Sequence, residues 1–554
     1  MKYEVKNKII DLDVIKKLNS ELKLPFITAG VLSARGIDSI EKAVDFLSSD
    51  LSLSDPFLIL DMDKAVNRIL QAISRNEKIV IFGDFDTDGI TSTAILRRFF
   101  NNLDYSGVSH FLPKETDGHG ISIKSIEDLN SDKISLIITV DNGTNSKNEI
   151  KYAKEKGIDV IVTDHHIPEG KVSEEAVAIL NPNRSDCKSK FKSYSGGGMA
   201  LALCIAVARK LDKEKEYITK DLFVLAAISS IADMVPLVSD NRKIVKYGLS
   251  KIKDSSIVGL SMLLDKLYLI NAKELSARDV AFRIAPLINA AGKFSMADKA
   301  IELLVSNNRP VLLSTIKDLL DISSKRRDLV SRTYISLIDS ARKQKNNGDR
   351  FIFVIGDHPS AINGLLAIRI MEALKLPTFV GTKDQNSDII KISGRSSSIN
   401  LSSIIEKTAN IHSGGGGHAF AGGMQVKESK LDELISKINE HIKIDSDQIQ
   451  SFFWEIDAEL LSSHITPQLI KSLFILSPFG KKNEAPLFKI RNAEIRKELL
   501  NSKLNTFLDT PAGKIKLIFD QQMDRIKENA ENLDLIVELN FYTNEPQFTV
   551  KDFL

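Results

Sequence analysis

Three times within its first third this chain runs a short apolar stretch straight into acidic or imidazole side chains. Ile79-Val-Ile-Phe82 leads into Gly83, Asp84, Asp86 and Asp88. Leu136-Ile-Ile-Thr-Val140 leads into Asp141 and the turn glycine Gly143, and Asp159-Val-Ile-Val-Thr163 into Asp164, His165 and His166. A strand with almost no polar position has no solvent face, so it belongs inside a parallel sheet covered by helices on both sides. The spacing predicts a helix over 145–156, and a right-handed crossover of that kind sets successive strand ends next to one another. Ligands of open α/β sheets bind at that carboxyl edge.

Asp84, Asp86 and Asp88 stand within five residues and would repel one another without a counter-charge, which a divalent cation on oxygen ligands supplies most simply. The alternative is an acidic helix N-terminus, favoured by the dipole of a helix beginning near Thr91. Asp141, Asp164, His165 and His166 at the neighbouring strand ends favour the metal, since acids and imidazoles from three strands would converge. Further on, Phe223 to Pro236 reads as a helix ending at Asp233; the helix dipole opposes an acid there, so Asp233 needs another partner. Gly196-Gly-Gly-Met-Ala200 opens an apolar helix without a phosphate-gripping lysine nearby, and close packing on the sheet is its main reading.

Gly83-Asp-Phe-Asp-Thr-Asp-Gly-Ile-Thr-Ser92 followed by Asp164-His-His166 resembles the DHH phosphoesterase superfamily and, within it, the RecJ family of single-strand exonucleases. Phe282-Arg-Ile-Ala-Pro-Leu-Ile-Asn-Ala-Ala-Gly-Lys293, the glycine run 413–423 with its central His-Ala-Phe-Ala, and Ser477 to Phe488 extend the resemblance to the C-terminus. It implies an α/β fold: a parallel-sheet DHH catalytic domain, a helical connector, a smaller α/β DHH-associated domain and a C-terminal OB-like β-barrel. It also implies a two-metal site for Mn²⁺ or Mg²⁺. Asp86, Asp141, His165 and Asp233 would hold one ion, Asp84 and Asp141 the second, and His166, Asp164 and Asp84 would carry the catalysis. Lys114, Asn289, Lys293, Ser393, Arg395, Ser396, Gly416, Gly417 and His418 are the implied substrate contacts; a glycine run admits a phosphate to its amides, and Arg395 can fork onto its oxygens. The chain departs from the family in four places. Val80 and Phe82 stand where a histidine is usual, Lys114 stands just after the proline where an arginine is common and would substitute as a point charge, and Leu287 and Lys293 replace two further arginines. These departures suggest a divergent, archaeal-type branch.

The 554 residues suffice for several cores; periodicity, together with what the resemblance implies, divides them at 1–60 (N-terminal helices), 61–240 (catalytic), 241–348 (helical connector), 349–446 (second α/β unit) and 447–554 (barrel). A net charge of +2 gives no global basic field, so a nucleic-acid site must be local. Two cysteines, Cys187 and Cys204, suit a reducing compartment and structural roles. With no signal-like start and no apolar run of membrane length, the expected location is the cytoplasm, without a membrane partner. The expectation is a metal-dependent single-stranded-DNA exonuclease of 5′-to-3′ direction, acting in recombination, repair or replication. Its partners would be single-stranded DNA, with RNA as a variant, and a single-strand-binding protein or a GINS-like replication factor. The alternatives are a phosphodiesterase on RNA or short oligonucleotides and a non-catalytic replisome scaffold, the latter requiring loss of the ligands.

Overall fold

The computed structural model describes residues 4–114, 118, 120–130, 133–384, 387–446, 453–500, 503–519, 533–542 and 545–553. These form two compact units, one of residues 4–320 together with 454–554 and one of 321–453.

In the first unit, strands β1 (Ile79–Phe82), β2 (Val108–Phe111), β3 (Leu136–Val140), β4 (Asp159–Thr163) and β5 (Ala178–Leu180) make a parallel sheet in the order β2-β1-β3-β4-β5. Alternate residues of each strand enter different cores. Ile79, Ile81, Leu136 and Ile138 pack into the large core on one face, and Val80, Phe82, Ile137 and Val160 into the smaller core on the other. Burial on both faces is why these strands read as continuous apolar runs.

On the large-core face lie α1 (Thr87–Asn102) and α2 (Gly196–Lys210), and α3 (Lys220–Ala232) packs on these two. Asp86 caps α1, accepting the Gly89 N–H at 3.0 Å, so the helix begins at Thr87 and not near Thr91. The cap corrects the expected start because an Asx side chain satisfies a first-turn amide better than the threonine further on could. A further helix, α4 (Ala285–Lys293), lies against the loop after β1, where Thr87 Oγ1 donates to the Ala285 carbonyl at 3.1 Å. That approach requires Gly292, whose place leaves no room for a Cβ: the atom would stand 1.6 Å from the Phe85 carbonyl oxygen.

The C-terminal strands of this unit, from Ala458–Leu461 to Glu545–Phe553, form one mixed sheet in the order 458–461, 487–493, 533–542, 545–553, 513–519, 503–510, 495–500. Its core is shared with the N-terminal helices: Ile15, Leu18 and Leu32 pack with Leu469, Leu473, Val537 and Phe548. Residues 1–60 therefore do more than precede the catalytic sheet, since their described part helps to fill the barrel core.

The 38-residue helix Arg309–Asn346 carries the chain into the second unit. There a sheet runs in the order 414–418, 421–427, 389–395, 378–383, 352–356, with the glycine strand Gly414–His418 at its edge. The glycine run is thus a strand of a hairpin and not a free loop, with Gly416 paired to Gly423 and Gly423 to Ser393 across three strands. Both cysteines are free and buried, and burial pushes the Cys204 thiol up, as fits structural residues. Among the described residues no helix is long and apolar enough to cross a membrane.

Candidate metal centre

His165 is the hub of the carboxyl edge. Its Nε2 lies 2.9 Å from Asp141 Oδ1, 3.6 Å from Asp88 Oδ2 and 3.8 Å from Asp233 Oδ2. The ring is 14% exposed, and desolvation lowers its pKa, which favours the neutral imidazole that a cation binds. The three acids come from the first turn of α1, the end of β3 and the C-cap of α3.

Asp141 is 3% exposed and adopts a left-handed backbone with φ of 64°. A non-glycine residue held there is strained, and such strain persists where the surroundings fix it. The fixing contacts are visible: the Asp141 N–H donates to the Thr163 carbonyl at 3.0 Å, and Gly196 lies so close that a Cβ on it would stand 2.7 Å from that of Asp141. Burial raises the Asp141 carboxyl well above its usual range, and the charges of Asp88, Asp86, Asp233 and Asp84 raise it further. Partial burial, then Asp88 and Asp86, push Asp233 up to about 8. Three carboxylates around one imidazole, with Asp84 and Asp86 near enough to act on Asp141, form a donor set that a divalent cation stabilises.

Asp88 has a second task. Its oxygens accept the Gly196 N–H at 2.7 Å and the Gly197 N–H at 3.0 Å, and the Ser229 hydroxyl donates to it as well. The glycine-rich opening of α2 therefore does bind an anion at its free amides, and that anion is the protein's own carboxylate. Sequence reasoning quoted Asp88 but gave the ligand roles to Asp84 and Asp86. In the structure Asp86 spends one oxygen capping α1, while buried Asp84 accepts the Phe85 N–H at 2.6 Å; both stand near enough to act on Asp141.

Beside the hub, Asp164 Oδ1 accepts His166 Nδ1 at 2.8 Å and the backbone N–H groups of His165 and His166 at 2.7 and 3.2 Å, while Oδ2 accepts the Thr144 N–H at 3.0 Å. Burial alone would raise Asp164, but the hydrogen bond and charge of His166 hold it below the usual carboxylate range. In return the Asp164 bond lifts His166 to about 9, leaving a protonated imidazole whose side chain is 56% exposed. Two asparagines just after β5 also hold this segment. Asn181 Nδ2 donates to the His166 carbonyl at 2.7 Å and to Thr144 Oγ1 at 2.8 Å, and the Asn183 amide donates to the His165 carbonyl. They were missed, although Ala178-Ile-Leu180 before Asn181 is a fourth apolar run into polar residues and could have signalled them.

Of the other expected contacts, Asn289 and Lys293 lie on α4, with the Lys293 ammonium 6.0 Å from the centre of the Phe85 ring between Asp84 and Asp86. Lys114 is exposed on the loop after β2. Ser393, Arg395, Ser396, Gly416 and Gly417 belong to the second unit. Burial lowers the Arg395 pKa, and among the described residues it has no carboxylate partner, its Nη1 donating only to the Gly394 carbonyl at 2.8 Å. The Ser396 hydroxyl is taken up by the Ser398 and Ile399 amides at 3.1 and 2.9 Å. His418 ends the edge strand, and its side chain lies outside the described residues.

A parallel sheet with Asp-His-His at one strand end and acids converging from its neighbours defines a phosphoesterase of the DHH class, and residues 78–229 match the DHH family N-terminal domain. Residues 351–444 match the DHHA1 domain and 456–552 the RecJ OB domain. The chain belongs to the RecJ family of single-stranded-DNA-specific exonucleases. It is 30% identical to the Haemophilus influenzae single-stranded-DNA-specific exonuclease RecJ over 76% of each chain. Its identity to the Bacillus subtilis protein of the same name is 32% over 89% of this chain, which spans 62% of that relative's length. The crystal structure of Thermus thermophilus RecJ in complex with Mn²⁺ shares the fold, with a TM-score of 0.82 at 24% identity, over 100% of this chain and 79% of that one.

Proposed function

We propose that this protein is a metal-dependent exonuclease that hydrolyses phosphodiester bonds of single-stranded DNA from its 5′ end, releasing nucleotides, in the cytoplasm. The observation that carries this reading is the convergence on His165 Nε2 of the Asp141, Asp88 and Asp233 carboxylates, all within 3.8 Å.

One imidazole nitrogen among carboxylate oxygens suits Mn²⁺ and also accommodates Mg²⁺, in line with the Mn²⁺ of the Thermus thermophilus relative. Asp84, Asp86, Asp88, Asp141, His165 and Asp233 would hold the metal, which when bound supplies Lewis acidity at the phosphoryl oxygens and an acidified water. The chain's own part is orientation and charge. Asp164 keeps His166 protonated and aimed outward, where it donates to the phosphate under attack. Arg395 and the edge amides of the glycine strand bind phosphate oxygens. The RecJ OB domain supports a polymeric single strand as substrate. Single-stranded nucleic acid is the proposed partner; a single-strand-binding protein or a GINS-like factor is the protein partner that the family implies. The five-part domain division given above belongs to the same reading.

The test is degradation of strands labelled at either end, as DNA and as RNA, with Mn²⁺ or Mg²⁺, beside an Asp141→Ala control. Stepwise loss from the 5′ end of DNA, absent in the control, is expected. Cleavage of RNA alone would transfer the reading to the oligonucleotide alternative, and no cleavage of any strand would sink it in favour of a scaffold.

A further inference from the structure

A turn from the barrel side of the chain is fastened beside the metal cluster. Arg242, 3% exposed, donates from Nη2 to the Ser477 carbonyl at 2.9 Å and from Nε to the Phe46 carbonyl at 2.8 Å. Asn483 is wholly buried and donates to the carbonyls of Leu476 and Pro478 at 2.9 and 2.8 Å, while its backbone exchanges two 2.9 Å hydrogen bonds with Gly480. Arg35 grips the Asn483 side chain and the Glu484 carbonyl. The Leu237 N–H, four residues beyond Asp233, donates to the Lys481 carbonyl at 2.8 Å. Gly480 lies so near that a Cβ on it would stand 2.6 Å from Leu237 Cδ1.

The residue presented by this fastening is Lys481. Its side chain is exposed and makes no hydrogen bond or ion pair among the described residues, yet its charge acts on Asp233 of the cluster. A lysine that merely solvates a surface gains nothing from a backbone held at this many points. A lysine whose backbone is fastened beside a cluster whose own charges a metal would neutralise carries its ammonium, free to reach, to the phosphodiester backbone of a bound strand.

We propose that Lys481 is a substrate-binding residue of the catalytic site, contacting a backbone phosphate next to the one that is cleaved. The proposal rests on the exonuclease reading above. As a point charge, the contact tolerates any base and any small change in strand path, as exonucleolytic advance requires.

The experiment is kcat/KM of the full chain on a single-stranded oligonucleotide with Mn²⁺, measured across a series of KCl concentrations. Lys481→Met should lower kcat/KM roughly fivefold at low salt, as expected for loss of one screened charge contact, chiefly through KM. It should also reduce the slope of log kcat/KM against log salt by about 0.7, the share of one single-strand phosphate. Lys481→Arg should restore both. Lys17→Met, which removes an exposed lysine from the N-terminal helix Leu12–Leu22, should change neither. A Lys481→Met variant with the wild-type slope would overturn the proposal. An arginine variant as weak as the methionine one would overturn it equally, since the turn and not the charge would then matter. A wild-type protein inactive at every salt concentration would remove the exonuclease reading itself.

Discussion

Asp164 Oδ1 accepts three hydrogen bonds at once, from His166 Nδ1 at 2.8 Å and from the backbone N–H groups of His165 and His166. These three fix the Asp-His-His backbone and its last imidazole, while the Thr144 N–H on the other oxygen ties the carboxylate to the loop after β3. Asp164→Asn puts an NH₂ against one of those donors and removes the anion beside His166. Initial rates of strand degradation should fall roughly 10²- to 10³-fold with little change in KM. A variant keeping half of the wild-type rate would show that His166 needs no such anchor.

Asp141 sits among four other acids in a strained, left-handed backbone that asparagine tolerates well. In the metal-free protein Asp141→Asn should therefore relieve repulsion and raise the melting temperature by about 1–2 °C, while activity drops by roughly 10³-fold or more. The rise in melting temperature that Mn²⁺ gives the wild type should shrink in the variant. Thermal scans with EDTA and with Mn²⁺ check both parts, and a lower metal-free melting temperature would contradict the repulsion.

Gly292 is the closest approach of α4 to the loop that carries Asp84 and Asp86. Gly292→Ala forces the Phe85 carbonyl and the helix apart, at a cost of about 2–3 kcal/mol. Urea unfolding should show that loss, and the rate should fall more than stability alone explains because the acids move with Phe85.

Asp61 pairs with Arg184 and with Lys64, each at 2.7 Å. Burial opposes its ionisation, but the hydrogen bonds from Lys64, Arg184 and the Ile179 N–H prevail and depress its pKa. A depressed carboxyl stabilises the fold above its unfolded pKa and loses that contribution as pH falls through the folded value. Asp61→Asn should cost about 2 kcal/mol at neutral pH, where Arg184 loses a largely buried partner. Below about pH 4 the gap between the two proteins should close. Melting curves across that range decide it; a gap independent of pH would mean that the asparagine loses packing and not charge.

The catalytic sheet was legible because a strand buried on both faces cannot hide its pattern: Ile79 to Phe82 are each 0% exposed. Asp233 was legible because the helix dipole left it unexplained. The division of labour among the first three acids was not. It turns on Asp86 capping α1, a local competition for the Gly89 amide that moves the helix start and draws Asp88 into the hub. Asn181 and Asn183 escaped because they act through their amides on carbonyls, which leaves no charge signature in a sequence. The docking of the 475–484 turn on Arg242 escaped for another reason, because two segments more than 230 residues apart carry no mark of each other.

Thr28 and Ser472 share a hydrogen bond across 444 residues of chain, inside the core where Ile15, Leu18 and Leu32 meet the barrel. On the ribosome, the helices that carry these residues are made more than 400 residues before the strands whose core they share. Until those strands exist, Ile15, Leu18 and Leu32 lack the barrel part of their core, and the strands, once made, must recruit an old segment to finish their interior. Sealing of that core is thus a late, long-range event. The nascent protein has a built-in interval during which a chaperone's shelter counts most, and which ends only when these two distant segments join.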